Sequence, residues 1–114
     1  MDKKYDLEDR TLAFAKAVRL FVKLLEHTLG NYEDAKQVIR SSGSIGANYI
    51  EANEALSRKD FVLRIKISKK EARETIYWLK LLDVKEAHEK RRQSLIQEAT
   101  ELMKILGSIL DKSI

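Results

Sequence analysis

Residues 57–82 read SRKDFVLRIKISKKEARETIYWLKLL, and their periodicity decides the fold. Ser57 stands three residues before Asp60, the spacing of a capping box that opens a helix. At about 100° per residue, Phe61, Ile65, Ser68, Ala72, Thr75, Ile76, Leu79 and Leu82 fall on one side. That is a single inward seam sustained over the whole stretch, which predicts a helix over 58–84. Such a helix is about 40 Å long at 1.5 Å per residue. One rod of this length has no core of its own, so its seam must be covered by other helices.

The flanking sequence supplies them. Between Leu7 and Leu29, Phe14, Ala17, Val18, Phe21, Leu24, Leu25 and Leu29 recur with helical spacing, and Asp6 and Asp9 provide an acidic start. Gly30 reads as the stop of this helix and Asn31 as the N-cap of the next. The second helix carries Val38, Ser41, Ile45, Asn48, Ala52 and Leu56 on its seam. The segment 85–92 has no apolar period and reads as a turn. Beyond it, Leu95, Ala99, Leu102, Met103, Leu106, Ile109 and Leu110 share a face. The expected helices are therefore 7–29, 32–56, 58–84 and 91–111. Short connections between long helices favour antiparallel neighbours, so the fold class is all-α, an up-and-down four-helix bundle over residues 1–114 as one domain.

Composition narrows the chemistry. The chain has 114 residues, no cysteine, no proline and four glycines. Missing cysteine removes disulfides, thiolate metal sites and cysteine nucleophiles, and fits a reducing cytoplasm. No apolar run approaches the ~20 residues of a membrane span. Lysine and arginine total 22 against 18 acids, a net charge of +4, too small an excess to name a partner. The two histidines, His27 and His88, lack a carboxylate three residues upstream, so the Glu-x-x-His motif of di-metal bundles is absent. Phosphate-binding glycine loops and hydrolase nucleophile motifs are missing too. The pairs Glu51/Glu54 and Glu71/Glu74 are helical neighbours of the kind that hold Mg²⁺ or transfer a proton, but the commoner reading is surface acids, with Glu51 and Glu71 neutralising Arg64 or Arg73 at helix interfaces. The expectation is a protein that is not an enzyme, with no metal and no cofactor.

The remaining faces of the third helix are informative. Leu63, Ile67, Trp78 and Leu81 form a second apolar stripe away from the seam. A monomeric bundle would leave it in water, which predicts a homo-oligomer. Leu12, Phe14, Val18, Leu20, Phe21 and Val22 spread over more than half the circumference of helix one, in the same sense. Lys59, Lys66, Lys69, Lys70, Arg73 and Lys80 form a third stripe with Tyr77 among them, and Arg91 and Arg92 are expected to extend it. Cations in a line suit a phosphate backbone, and an interleaved aromatic suits a base. The plainer reading of the same stripe is a solvated helix face. Ser41, Asn48, Ser68 and Thr75 lie on core seams and should hydrogen-bond across helices. The small residues Ser41–Ser44 with Gly46 and Ala47 offer a surface for close helix approach. A ligand pocket at Asn48 and Glu51 is the alternative for that region.

Three strings carry a wider resemblance: RSSGSIGANYIEA at 40–52, SRKDF at 57–61 and KEARETIYWLKLL at 70–82. In this order they resemble a bacterial family of four-helix bundle proteins encoded in intervening sequences of 23S ribosomal RNA genes. That family is related to the accessory variability protein of diversity-generating retroelements, which works with a reverse transcriptase. Other branches have proline and glycine where this chain has Gly46 and Ala52. The resemblance implies a ring-like homopentamer with a basic surface and a nucleic-acid role. It marks Ser42, Ser44, Asn48, Glu51, Glu71, Glu74, Tyr77 and Trp78 as motif positions, the first six mainly structural. The expected function is RNA or DNA binding. The alternative is a scaffold that recruits a protein such as a reverse transcriptase.

Overall fold

The structure, a computed structural model, describes residues 6–114. Four helices follow in order: α1 (Leu7–Val22), α2 (Leu29–Asn53), α3 (Arg58–Leu81) and α4 (Glu86–Ser113). Among the described residues the backbone of α1 lies against α2 and α4, and that of α3 against α2 and α4, while the backbones of the diagonal pairs stay apart. This is the up-and-down bundle that the seams require. The packing is uneven. α2 and α3 share the most extensive interface and α1 and α4 the least. The cross-section is accordingly flattened, with overall extents of 44 × 31 × 19 Å.

The core is made by the expected seams. Phe14, Val18 and Phe21 of α1 meet Val38, Ile45 and Ala52 of α2, Ile65, Ala72 and Leu79 of α3, and Leu95, Ala99, Leu102 and Leu106 of α4. Burying a side chain of leucine, valine or phenylalanine size is worth about 1.5–3 kcal/mol, so this seam, not helix propensity, holds the rods together. Local signals set the starts. Asp6 accepts a hydrogen bond from the Asp9 amide at 2.8 Å, and Ser57 accepts from the Asp60 amide at 3.0 Å. Each side chain satisfies a donor that the first helical turn cannot.

The helix boundaries differ from the sequence expectation at all three connections. α1 ends at Val22 instead of continuing to Leu29, and the chain folds back through hydrogen bonds from Leu24 to Phe21 and from Leu25 to Val22. Leu25 is tucked into the core, whereas Leu24 and Leu29 stay exposed. Thr28 is the N-cap of α2, its hydroxyl accepting from the Asn31 amide at 3.1 Å. Gly30 therefore lies inside a helix, with no glycine at positive φ, and is not a stop. Asn31 has a larger task than capping. Buried between two turns, it donates to the carbonyls of Glu26 and Asp83, both at 3.0 Å, and accepts from the Asp83 amide at 2.9 Å. One amide thus staples the α1–α2 turn to the α3–α4 turn.

α2 closes at Asn53, leaving Leu56 fully exposed in the turn instead of on a seam. α3 closes at Leu81, and α4 begins at Glu86, five residues before the expected 91. The opening turn of α4 lies beyond the core, so it shows no apolar period. Its helicity comes from Glu86 and Glu89, whose charges suit the amino-terminal end of the helix dipole. The Glu89–Arg92 pair at 2.6 Å adds to it.

Candidate nucleic-acid interface

α3 is gripped on both flanks, by α2 and by α4, and turns its remaining side outward. On that side Lys59, Lys66, Lys70, Arg73, Tyr77 and Lys80 are exposed, and Lys69 is half-buried with its aliphatic stem over Gly107 of α4. From Lys59 to Lys80 the stripe spans about 32 Å at 1.5 Å per residue. None of its six cations forms an ion pair among the described residues.

The acids of α3 explain why. Of the three, Asp60 stands in the opening turn, and Arg40 of α2 reaches across the interface and takes the other two, Nη1 lying 3.4 Å from Glu71 Oε1 and Nη2 3.2 Å from Glu74 Oε1. Glu71 is buried by this arrangement. The pairing differs from the expectation that Glu71 or Glu51 neutralises Arg64 or Arg73. Among the described residues Arg73 has no ion-pair partner, and Arg64 instead donates from Nη1 to Asn48 Oδ1 at 3.2 Å. Glu51 remains exposed. Drawing the two carboxylates toward α2 leaves the stretch from Lys66 to Lys80 lined by cations, with Asp60 bordering only its amino-terminal end.

Arg92 does not extend the stripe. Its Nη1 donates to the Leu82 carbonyl at 2.6 Å and to the Leu79 carbonyl at 3.2 Å, and its fork grips Glu89. It caps the carboxyl end of α3, supplying donors to carbonyls that the helix leaves unmatched. Arg91 is exposed, but it faces α1. With Lys90, Ala17, Leu20, Ala87, Ser94 and Leu95 it lines a shallow groove along the loosely packed α1–α4 edge. Farther along that edge Arg10 clamps the two helices. Its Nε lies 2.7 Å from Glu98 Oε2, and its Nη2 lies 2.8 Å from Glu101 Oε1. Hydrogen bonds from Gln97 and Arg10 hold the Glu101 carboxyl below the ordinary carboxylate range.

The second apolar stripe is narrower than expected. Leu63 and Leu81 are 51% and 47% exposed, but Ile67 is half-buried and Trp78 packs partly against the core. Trp78 also holds Tyr77 at a near-perpendicular 79°, with ring centroids 5.1 Å apart. Of the apolar residues spread around α1, Leu12 and Leu20 are exposed, whereas Phe14, Val18 and Phe21 are buried and Val22 packs against the core.

The polar seam does cross helices. Thr75 Oγ1 lies 2.8 Å from Ser41 Oγ, and Ser68 Oγ donates to the Ile45 carbonyl at 2.7 Å. Ser42 is buried with its hydroxyl on the Ile39 carbonyl, and the Ser44 carbonyl accepts from Asn48 Nδ2 at 2.9 Å. Asn48 is thus occupied within the α2–α3 interface, with no bond to Glu51. The small-residue surface serves α1: a Cβ at Gly46 would stand 2.6 Å from Thr11 Oγ1. Among the described residues no three His, Cys, Asp or Glu side chains converge as a metal site would require. No helix there is long and apolar enough to cross a membrane.

No protein of curated function matches the sequence. Among solved structures, a protein of unknown function from the S23 ribosomal protein family of Bacteroides thetaiotaomicron is similar, with 35% identity and a TM-score of 0.79. The match covers 92% of this chain and 98% of that one. The family model for the 23S rRNA-intervening sequence protein matches residues 3–108, which take in all of α1, α2 and α3 and most of α4. With that breadth of match and the shared four-helix architecture, the chain belongs to the 23S rRNA-intervening sequence protein family.

Proposed function

We propose that this protein is a non-enzymatic, cytoplasmic, homo-oligomeric bundle that binds RNA or DNA through Lys59, Lys66, Lys69, Lys70, Arg73 and Lys80. One observation carries the reading. Six cations run along one side of α3 without ion-pair partners among the described residues, while Arg40 draws Glu71 and Glu74 away from them. A merely solvated helix face has no need to segregate its charges in this way. In the proposed assembly Leu63 and Leu81, with Ile67 and Trp78 beside them, meet a sister subunit. The resemblance noted above supports five copies in a ring, and a ring repeats the stripe and strengthens its field.

The test is a salt titration of binding to structured RNA and duplex DNA, with subunit number measured by light scattering. Affinity falls steeply with salt, because each neutralised phosphate releases counterions. Reversing Lys66, Lys70 and Arg73 to glutamate abolishes binding and leaves the particle mass unchanged. Retained affinity in that variant refutes the stripe, and a monomeric particle refutes the ring. A second reading, a scaffold that recruits a protein, draws support from the α1–α4 groove, where exposed Leu20 lies beside Lys90 and Arg91. Capture of a partner protein that survives nuclease digestion favours it.

A further inference from the structure

We infer that the α3 stripe selects unpaired strands over duplexes, with Tyr77 as a stacking platform for one exposed base and Arg73 and Lys80 holding the phosphates on either side. The inference rests on the nucleic-acid reading above and narrows its ligand class. Three features of the site lead to it. Tyr77 is 60% exposed near the carboxyl end of a cationic face, where a large aromatic ring has no part in the core. Trp78, its neighbour at 5.1 Å and 79°, meets the ring in a T-shaped contact rather than a stack, and the ring keeps a solvent-exposed surface. Arg73 lies four residues before Tyr77 and Lys80 three after, spacings that place both on the same side of the helix.

The Arg73 and Lys80 backbone positions are about 10 Å apart along the axis at 1.5 Å per residue, with Tyr77 between them. That interval brackets one nucleotide and its flanking phosphates. Neither cation has an ion-pair partner among the described residues, so both are available. A duplex gains nothing from the ring. Its bases are stacked inside, and a phenol standing on a convex rod touches only sugar and phosphate. An unpaired strand can lay a base on the exposed surface of the ring while its phosphates remain on the cations. Stacking is tolerant of base identity because every base has a π-face, so no sequence preference is required.

The experiment compares a twelve-residue oligouridylate with an RNA duplex of equal phosphate number, using the full-length protein at one fixed salt concentration. Trp78 is the single tryptophan, so its emission reports directly on events at Tyr77. The expected result is tighter binding of the single strand with a change in Trp78 emission that the duplex does not produce. Tyr77→Leu lowers single-strand affinity roughly five- to hundred-fold, the loss typical of removing one base–aromatic stack, and leaves duplex affinity unchanged. Tyr77→Phe keeps the preference, because the ring and not the hydroxyl does the stacking. The exposed position makes both variants foldable, which thermal melts verify. If the duplex binds as tightly as the strand and Tyr77→Leu changes neither, while reversal of Lys66, Lys70 and Arg73 abolishes both, the platform is refuted and the stripe stands. If the wild-type protein binds neither oligonucleotide, the stripe and the platform fall together.

Discussion

Adding a methyl group at Gly43 and at Gly46, one helical turn apart on α2, should have opposite effects on stability. At Gly43 a Cβ meets nothing within 4 Å, so Gly43→Ala adds helix propensity alone and stabilises by about 0.5–1 kcal/mol. At Gly46 the same atom would lie 2.6 Å from Thr11 Oγ1 and 3.1 Å from Thr11 Cβ. Thr11 cannot swing aside cheaply, since it is buried and its hydroxyl sits 2.9 Å from the Leu7 carbonyl and 3.0 Å from that of Glu8. Either those contacts break or α1 moves outward, and overpacking of this kind costs about 1–3 kcal/mol. Subtracting the propensity gain leaves Gly46→Ala destabilised by up to about 2 kcal/mol. Thr11→Ala removes the closest atom, so the double variant should be more stable than the sum of the singles by about 1 kcal/mol or more. Urea denaturation at one fixed protein concentration, with unchanged slope, reads all four species. The reasoning is refuted if Gly46→Ala gains as much as Gly43→Ala and the cycle is additive.

Asn31→Ala removes the amide that joins the two turns and leaves backbone groups of Glu26 and Asp83 unmatched. A loss of about 2–3 kcal/mol is expected, together with faster hydrogen exchange at the Asp83 amide, which exchange mass spectrometry detects. Arg92→Ala should lower the melting temperature, because the end of α3 loses its cap, and leave nucleic-acid affinity nearly unchanged, whereas exposed Arg91→Ala should leave stability intact. Stability should also fall in acid. Glu89, through Arg92 and then Gln93, and Glu101, through Gln97 and then Arg10, have folded pKa values below the ordinary 4.5. Depressed carboxylates stabilise the fold above that value and lose their contribution as pH drops through the folded pKa. Melts from pH 6 to pH 3 should therefore be flat at first and then decline, and Arg10→Ala should blunt the decline.

The α3 seam was legible because one uninterrupted period, opened by Ser57 and Asp60, admits a single helical phase. The α1 and α4 seams were readable on the same grounds. The first turn was misread at Gly30, where a residue that often ends helices lies in the first turn of one, and Thr28 was the available signal. Asn31 and Arg92 were opaque for a deeper reason. Their partners lie 52 and 10 residues away at Asp83 and Leu82, and no local pattern connects them. The candidate stripe could be read from lysine spacing alone. Its separation from Glu71 and Glu74 could not, because that depends on Arg40 reaching over from another helix.

The cationic stripe lies on the most firmly held of the four rods. With neighbours along two sides, α3 has less room to bow or slide than a free helix, so the backbone intervals between its charges are close to those of a ruler. Any polyanion that engages it has to supply the flexing, and the ordering entropy of the encounter then falls on the ligand rather than on the protein. A supple polymer can take up that shape more readily than a rigid one.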